Sequence, residues 1–223
     1  MNLAIICRFE PKEKITMDEK KFLTAIEPKK RKSVLALKKT NPAQYKELIA
    51  ELRGVWIERC RVFRHGDVIT KEDKPLKTWR ARELGYKDKP GFVACIVRVG
   101  KGGRKRRQTS GGRKPSKEYD YAILDKSKQV LAEERASRKF PNCEVLASYW
   151  AWEDGQYKYF EVILVDTSNP HVKSCKEINW ICSNKHSGRA FRGKTPAGKK
   201  GRGLRNKGKG AEKLRGKVAA RFE

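Results

Sequence analysis

The run GRAFRGKT, residues 188–195, satisfies the pattern G-x-x-x-x-G-K-[ST] of a nucleotide phosphate loop. That chemistry needs more than spacing. A buried strand must lead in and a helix must lead out, so that N-terminal amides receive the phosphates. Neither is expected here. The preceding residues, SNKHS, are all polar. Pro196, Gly198, Gly201 and Gly203 follow Thr195, and proline with closely spaced glycines opposes a helix. No strand ending in an acidic residue is clearly placed to hold magnesium.

Other reactive groups are equally scattered. Cys175, Cys182 and His186 with His171 form the nearest zinc set, but their spacings fit no usual finger. The six cysteines show no C-x-x-C pair and read as reduced, structural thiols of a cytosolic protein. Glu153, Asp154, Glu161 and Asp166 are the local acid–base candidates, the first two in a turn. None of the three histidines pairs with a nucleophile. An RNA-acting enzyme is therefore disfavoured, and neither a cofactor nor a small-molecule substrate is expected.

Charge says more. The 223 residues hold 54 Lys plus Arg against 26 Asp plus Glu, a net +28. Such a chain repels itself unless a polyanion offsets it, and nucleic acid is the commonest such partner. An anionic membrane surface is the weaker alternative. A membrane span is not expected, because the N-terminal apolar run, residues 3–7, falls far short of the roughly 20 residues that cross a bilayer. The charge is also segregated. Residues 98–117 hold nine basic and no acidic residues, and residues 185–223 hold fourteen basic and two acidic. Residues 120–170 hold six basic and nine acidic. A mildly acidic body thus carries two basic, glycine-rich segments, too poor in large aliphatics to fold alone and expected to order only against a partner.

The elements that must position these charges are legible in part. FVACIVRV (92–99) follows the turn signal Pro90-Gly91 and suits a strand buried on both faces. The basic loop after it is too polar for regular structure. DKSKQVLAEERASRKF (125–140) reads as a helix capped by Asp125, with Arg135, Arg138 and Lys139 favouring its C-terminal end. EVLASYWAW (144–152) and YKYFEVILVD (157–166), joined by EDGQ, read as an antiparallel hairpin with an aromatic face from Tyr149, Tyr157 and Tyr159 or their neighbours. Near the N-terminus, MDEKKFLTAIEP looks helical. So does NPAQYKELIAELRGVWIERC, with Asn41 as cap, Pro42 in the first turn and Gln44 completing a capping box. Tyr45, Leu48, Ile49, Leu52, Val55 and Trp56 follow helical spacing.

GRAFRGKTPAGKKGRGLRNKGKG is then a glycine-spaced basic ribbon. Its glycines allow close approach to phosphates, and its Arg and Lys neutralise them. Phe191 is placed to stack on a base or to anchor the ribbon. FRGKTPAGKKGRGLRNKGKGAEKLR (191–215) closely resembles the C-terminal tail of the large-subunit ribosomal protein family fifteen-e of archaea and eukaryotes. RARELGYKDKPGFV (80–93), AEERASRKFPNCEVLASYW (132–150) and EDGQYKYFEVILVD (153–166) are similar, in order, to further stretches of that family. The first 60 or so residues do not match and read as a lineage-specific extension, in part.

The resemblance implies an α+β fold: a mostly antiparallel sheet with packed helices, a long basic loop and an extended basic C-terminal tail. It implies a structural role in the large ribosomal subunit, in the cytoplasm, with large-subunit rRNA and neighbouring ribosomal proteins as partners. The contact candidates it suggests in the body and loop are Arg80, Arg82, Lys87, Arg104, Lys105, Arg106, Arg107, Arg113, Lys114, Arg135, Arg138 and Lys139. In the tail they are His186, Arg189, Arg192, Lys199, Lys200, Arg202, Arg205, Lys207 and Lys209. The expected division is an N-terminal helical region (1–79), a body with its basic loop (80–184) and a tail (185–223). A chromatin-type DNA binder is the competing partner class, but no helix-turn-helix or finger pattern supports it.

Overall fold

The computed structural model describes residues 28–105, 109–113, 121–122, 124–206, 208 and 210–211. The chain divides into two units, Met1–Asp67 and Val68–Glu223.

In the first unit, α1 (Pro28–Thr40) and α2 (Pro42–His65) pack on each other. Asn41 caps α2: its side chain accepts from the Gln44 amide at 3.2 Å, and Pro42 takes the first helical turn, where a missing N–H costs nothing. Tyr45 and Cys60 are buried, while Val55, Ile57 and Val62 are exposed. The helical spacing is therefore real, but its apolar stripe is only partly covered in this unit. All of MDEKKFLTAIEP except Pro28, which begins α1, lies outside the described residues.

The second unit is built on a four-stranded antiparallel sheet in the order β1 (Ile69–Glu72), β2 (Phe92–Gly100), β6 (Tyr157–Asp166), β5 (Cys143–Glu153). Central β6 is buried throughout from Tyr159 to Val165. Its alternation feeds two cores. Phe160, Val162 and Leu164 join Cys95, Val97 and Val99 of β2 under α4 (Lys128–Lys139), through Ala132 and Ala136. Ile163 and Val165 join Tyr149, Leu146 and Tyr86 on the opposite face. That face is covered by Ala81 of α3 (Thr78–Glu83), Val172 of α5 (Pro170–Lys173) and Ile178 and Ile181 nearby.

The hairpin forms as expected. Asp154 holds its turn by accepting from the amides of Gln156 and Tyr157 and from the Tyr159 hydroxyl. Tyr149 and Tyr159 share a face, and Tyr159 stacks on Trp152 at 4.9 Å. The cap of α4 is Ser127, which accepts from Val130, and not Asp125. Both residue types cap well, and the first buried position, Val130, decides which one lies three residues upstream.

β5 is an edge strand with two bulges, between Val145 and Ala147 and between Trp150 and Trp152. A buried cation fills each. Arg189 donates to the carbonyls of Val145 (2.9 Å) and Leu146 (3.2 Å). Lys77 donates to the carbonyl of Ala151 at 2.7 Å and lies over the Trp150 ring.

Candidate nucleic-acid interface

The carboxylates that could have done acid–base chemistry serve the fold. Glu161 is fully buried and accepts from the Leu76 amide at 2.7 Å, fixing the chain that enters α3. Glu153 pairs with Lys101 and Lys158, and Asp166 holds the Ser168 amide. Among the described residues, no three His, Cys, Asp or Glu side chains come together as a metal set. Cys175 lies 3.5 Å from the Lys87 ammonium. Burial pushes the Cys95 thiol up to about 12, so it stays neutral.

Residues 188–195 do not form a nucleotide site. A short 3-10 turn, Asn184–His186, stands where a buried strand should lead in. A helix does follow Thr195, contrary to expectation: α6 (Pro196–Gly201) has Pro196 at its favourable first position and Thr195 as cap. Thr195 is fully buried. Its hydroxyl accepts from the Gly198 amide at 3.1 Å and donates to Glu133 at 2.5 Å, which leaves it no role on a metal. The glycines serve internal packing. Gly193 has φ +63°, and a Cβ on Gly198 would stand 2.6 Å from the Gly193 Cα. The close approach is backbone to backbone.

The ribbon expected to lack order of its own is therefore folded between residues 185 and 206. The physical reason is polar anchoring, not aliphatic burial. The Gly188 amide donates to Glu144 at 2.8 Å, Arg189 clips the β5 bulge, and Thr195 reaches Glu133, whose other oxygen accepts from Ser148. Burial raises the pKa of Glu133, opposed by these hydroxyls and by Arg189.

This scaffold sorts the cations. Arg189 is 6% exposed, with its guanidinium on the β5 carbonyls. Arg192, Lys199, Lys200 and Arg205 are exposed, and Arg202 is half-buried with its guanidinium on the Gly193 carbonyl. Arg192 and Lys194 both donate to the Lys185 carbonyl, at 2.6 and 3.0 Å. A neutral carbonyl orients these groups without cancelling their charge. The Lys194 pKa is lowered, first by desolvation and then by Arg192, Arg202, Lys185 and Lys199. Lys185 and Lys194 thus belong to the cluster although only their membership of the basic run marked them.

Elsewhere, Arg80 and Arg82 project from α3 on either side of buried Ala81, with Arg80 paired to Glu83. Lys87 pairs with Glu177 at 2.6 Å. Arg135 is half-buried and donates to the Arg98 carbonyl, and Lys139 donates to that of Ile69. Arg138 lies over Phe191, 5.5 Å from its centroid, so Phe191 anchors the ribbon while remaining 45% exposed. The basic loop is more regular than expected at its root. Arg98 is in β2, and β3 (Arg104–Lys105) pairs with β4 (Tyr121–Ala122). Arg104, Lys105 and Arg113 are exposed, beside a turn with Gly111 and Gly112 at φ +72° and +74°. Consecutive positive φ values favour glycine, which meets no Cβ clash there. Arg106, Arg107, Lys114, Lys207 and Lys209 lie outside the described residues.

Residues 35–221 match the protein family described as Ribosomal L15. The chain is 46% identical over 181 residues to the large ribosomal subunit protein eL15 of Nanoarchaeum equitans (strain Kin4-M), covering 81% of this chain and 95% of that protein. The match begins well before Arg80, so the C-terminal part of α1, from Leu35 to Thr40, and all of α2 fall within it. With a match of this length, the chain belongs to the L15e family of ribosomal proteins, which are structural components and not enzymes.

Proposed function

We propose that this protein is a structural constituent of the large ribosomal subunit in the cytoplasm, and that it binds and stabilises folded large-subunit rRNA through its basic loop and C-terminal segment. The observation that carries the reading is the cluster of Lys185, Arg192, Lys194 and Lys199, gathered by main-chain carbonyls and polar anchors. Like charges packed together cost free energy unless an anion meets them. The body (80–184) presents the loop, and residues 185–206 enter as a folded piece. Exposed Val55, Ile57 and Val62 of α2 support neighbouring ribosomal proteins as further partners.

The test is binding of the full chain to refolded large-subunit rRNA across a salt series. Neutralising six to ten phosphates lowers affinity by about 10³–10⁵ between 50 and 200 mM salt. Replacing Arg192 and Lys199 by Gln should reduce the logarithmic salt slope by about one each. A flat salt response, or a clear preference for duplex DNA at equal salt, would overturn this reading. In lysate, the chain should sediment with large subunits through a high-salt wash.

A further inference from the structure

Trp180 is held outward by the fold. The 3-10 turn Asn179–Cys182 buries Ile181 almost completely and leaves Trp180 39% exposed, although tryptophan is on average a highly buried residue. Its indole is nonetheless fixed. Nε1 donates to the Glu177 carbonyl at 3.0 Å. The Arg189 guanidinium lies over the ring, 4.8 Å from its centroid, and the His186 imidazole meets it edge-on at 4.9 Å. Arg189 is itself locked to the β5 carbonyls, so the ring has a rigid backing.

The surroundings say what the open side is for. Its exposed neighbours along the chain, Lys176, Glu177, Asn179, Ser183, Asn184 and Lys185, are all polar, and the one carboxylate among them, Glu177, is paired with Lys87. A protein contact centred on a tryptophan needs apolar neighbours that exclude water, and these residues do not supply them. Beyond His186 stands the cation cluster: Arg189, Lys194, Arg192 and Lys199 all act on the imidazole, whose pKa is lowered by burial first and then by these charges. A lone, rigid aromatic plane next to converging cations is how proteins hold a single-stranded nucleotide, with the base on the ring and the phosphates on the cations.

We infer that Trp180 is a stacking platform for one unpaired nucleobase of the bound RNA, whose flanking phosphates meet Lys185, Arg192 and Lys194. The inference rests on the RNA-binding reading above and adds that this RNA presents an extruded or single-stranded nucleotide. It also divides the labour. The cations supply the salt-dependent part of binding, and the indole supplies a part that salt does not screen.

The experiment uses the full chain with Trp180→Leu and Trp180→Phe, refolded large-subunit rRNA, and a salt series, with thermal melts confirming that both variants fold. Trp180→Leu should lose about 5- to 150-fold in affinity at every salt concentration, the range expected for one stacked base. Its logarithmic salt slope should equal that of the wild type, and Trp180→Phe should recover most of the loss. Equal affinity of the Leu and Phe variants, or a loss accompanied by a shallower salt slope, would overturn the inference while leaving the RNA-binding reading intact. Failure of the wild type to show steep salt dependence would remove that reading, and this one with it.

Discussion

The hydroxyl of Thr195 donates to the Oε2 of Glu133 at 2.5 Å, joining residues 62 positions apart at a site where both are fully buried. Thr195 also caps α6, and the other Glu133 oxygen accepts from Ser148 of β5. One buried carboxylate thus ties a helix, an edge strand and the basic segment together. The geometry of the surface cations is inherited from this interior contact.

Thr195→Ala should remove both the cap and a partner of a buried charge. The expected loss is about 1–3 kcal/mol in urea unfolding, with faster hydrogen exchange at the Gly198 amide. Thr195→Ser keeps the hydroxyl and should recover most of it. An unchanged Thr195→Ala variant would mean that the segment is held by something else.

Arg189→Met should cost about 3–5 kcal/mol, because it leaves two β5 carbonyls unmet and takes a compensating charge from buried Glu133. Arg192→Met, at an exposed position, should leave the melting temperature nearly unchanged and act on the salt slope of RNA binding instead. Similar stability losses in the two variants would contradict the division drawn between them.

Gly198→Ala should destabilise by about 1–3 kcal/mol, since the new Cβ would meet the Gly193 backbone at 2.6–2.9 Å and neither chain can yield cheaply. Gly201→Ala, where nothing lies within 4 Å, should be neutral or stabilise by up to about 1 kcal/mol. Paired melts of the two variants check the contrast.

Glu161 gives a pH signature. Burial raises its folded-state pKa above the ordinary 4.5, opposed by hydrogen bonds from Tyr149, Leu76 and Lys77 and by the Lys77 charge. A carboxyl with a raised folded pKa binds its proton more tightly when folded. Its contribution is therefore fully present below about pH 4.5 and is lost as pH rises through the raised value. Relative to Glu161→Gln, the wild type should lose stability as pH climbs from 4.5. A constant difference between the two across that range would show that Glu161 does not titrate on folding.

What the sequence made legible was local. The apolar runs of β2 and β6, the Asp154-Gly155 turn and the Asn41-Pro42 start of α2 each depend on neighbours in the chain, and each formed where expected. What it hid was distant. Arg189 looks like every other arginine in its run, and only the Val145 and Leu146 carbonyls, 44 and 43 positions away, make it an interior residue. Pro196 opposes a helix only in its interior; at the first turn it is a start signal, and α6 forms behind it. Trp180 carried no motif. Its exposure follows from the inward turn of Ile181 beside it.

The two cations seated in the bulges of β5 also bear on the chain's life before assembly. An uncovered outer strand offers its amides and carbonyls to any passing extended peptide, including another copy of itself, and so seeds polymerisation. Lys77 and Arg189 occupy carbonyls of that strand at its two irregular points. With those carbonyls occupied, the strand has fewer free acceptors to offer a second copy of the chain.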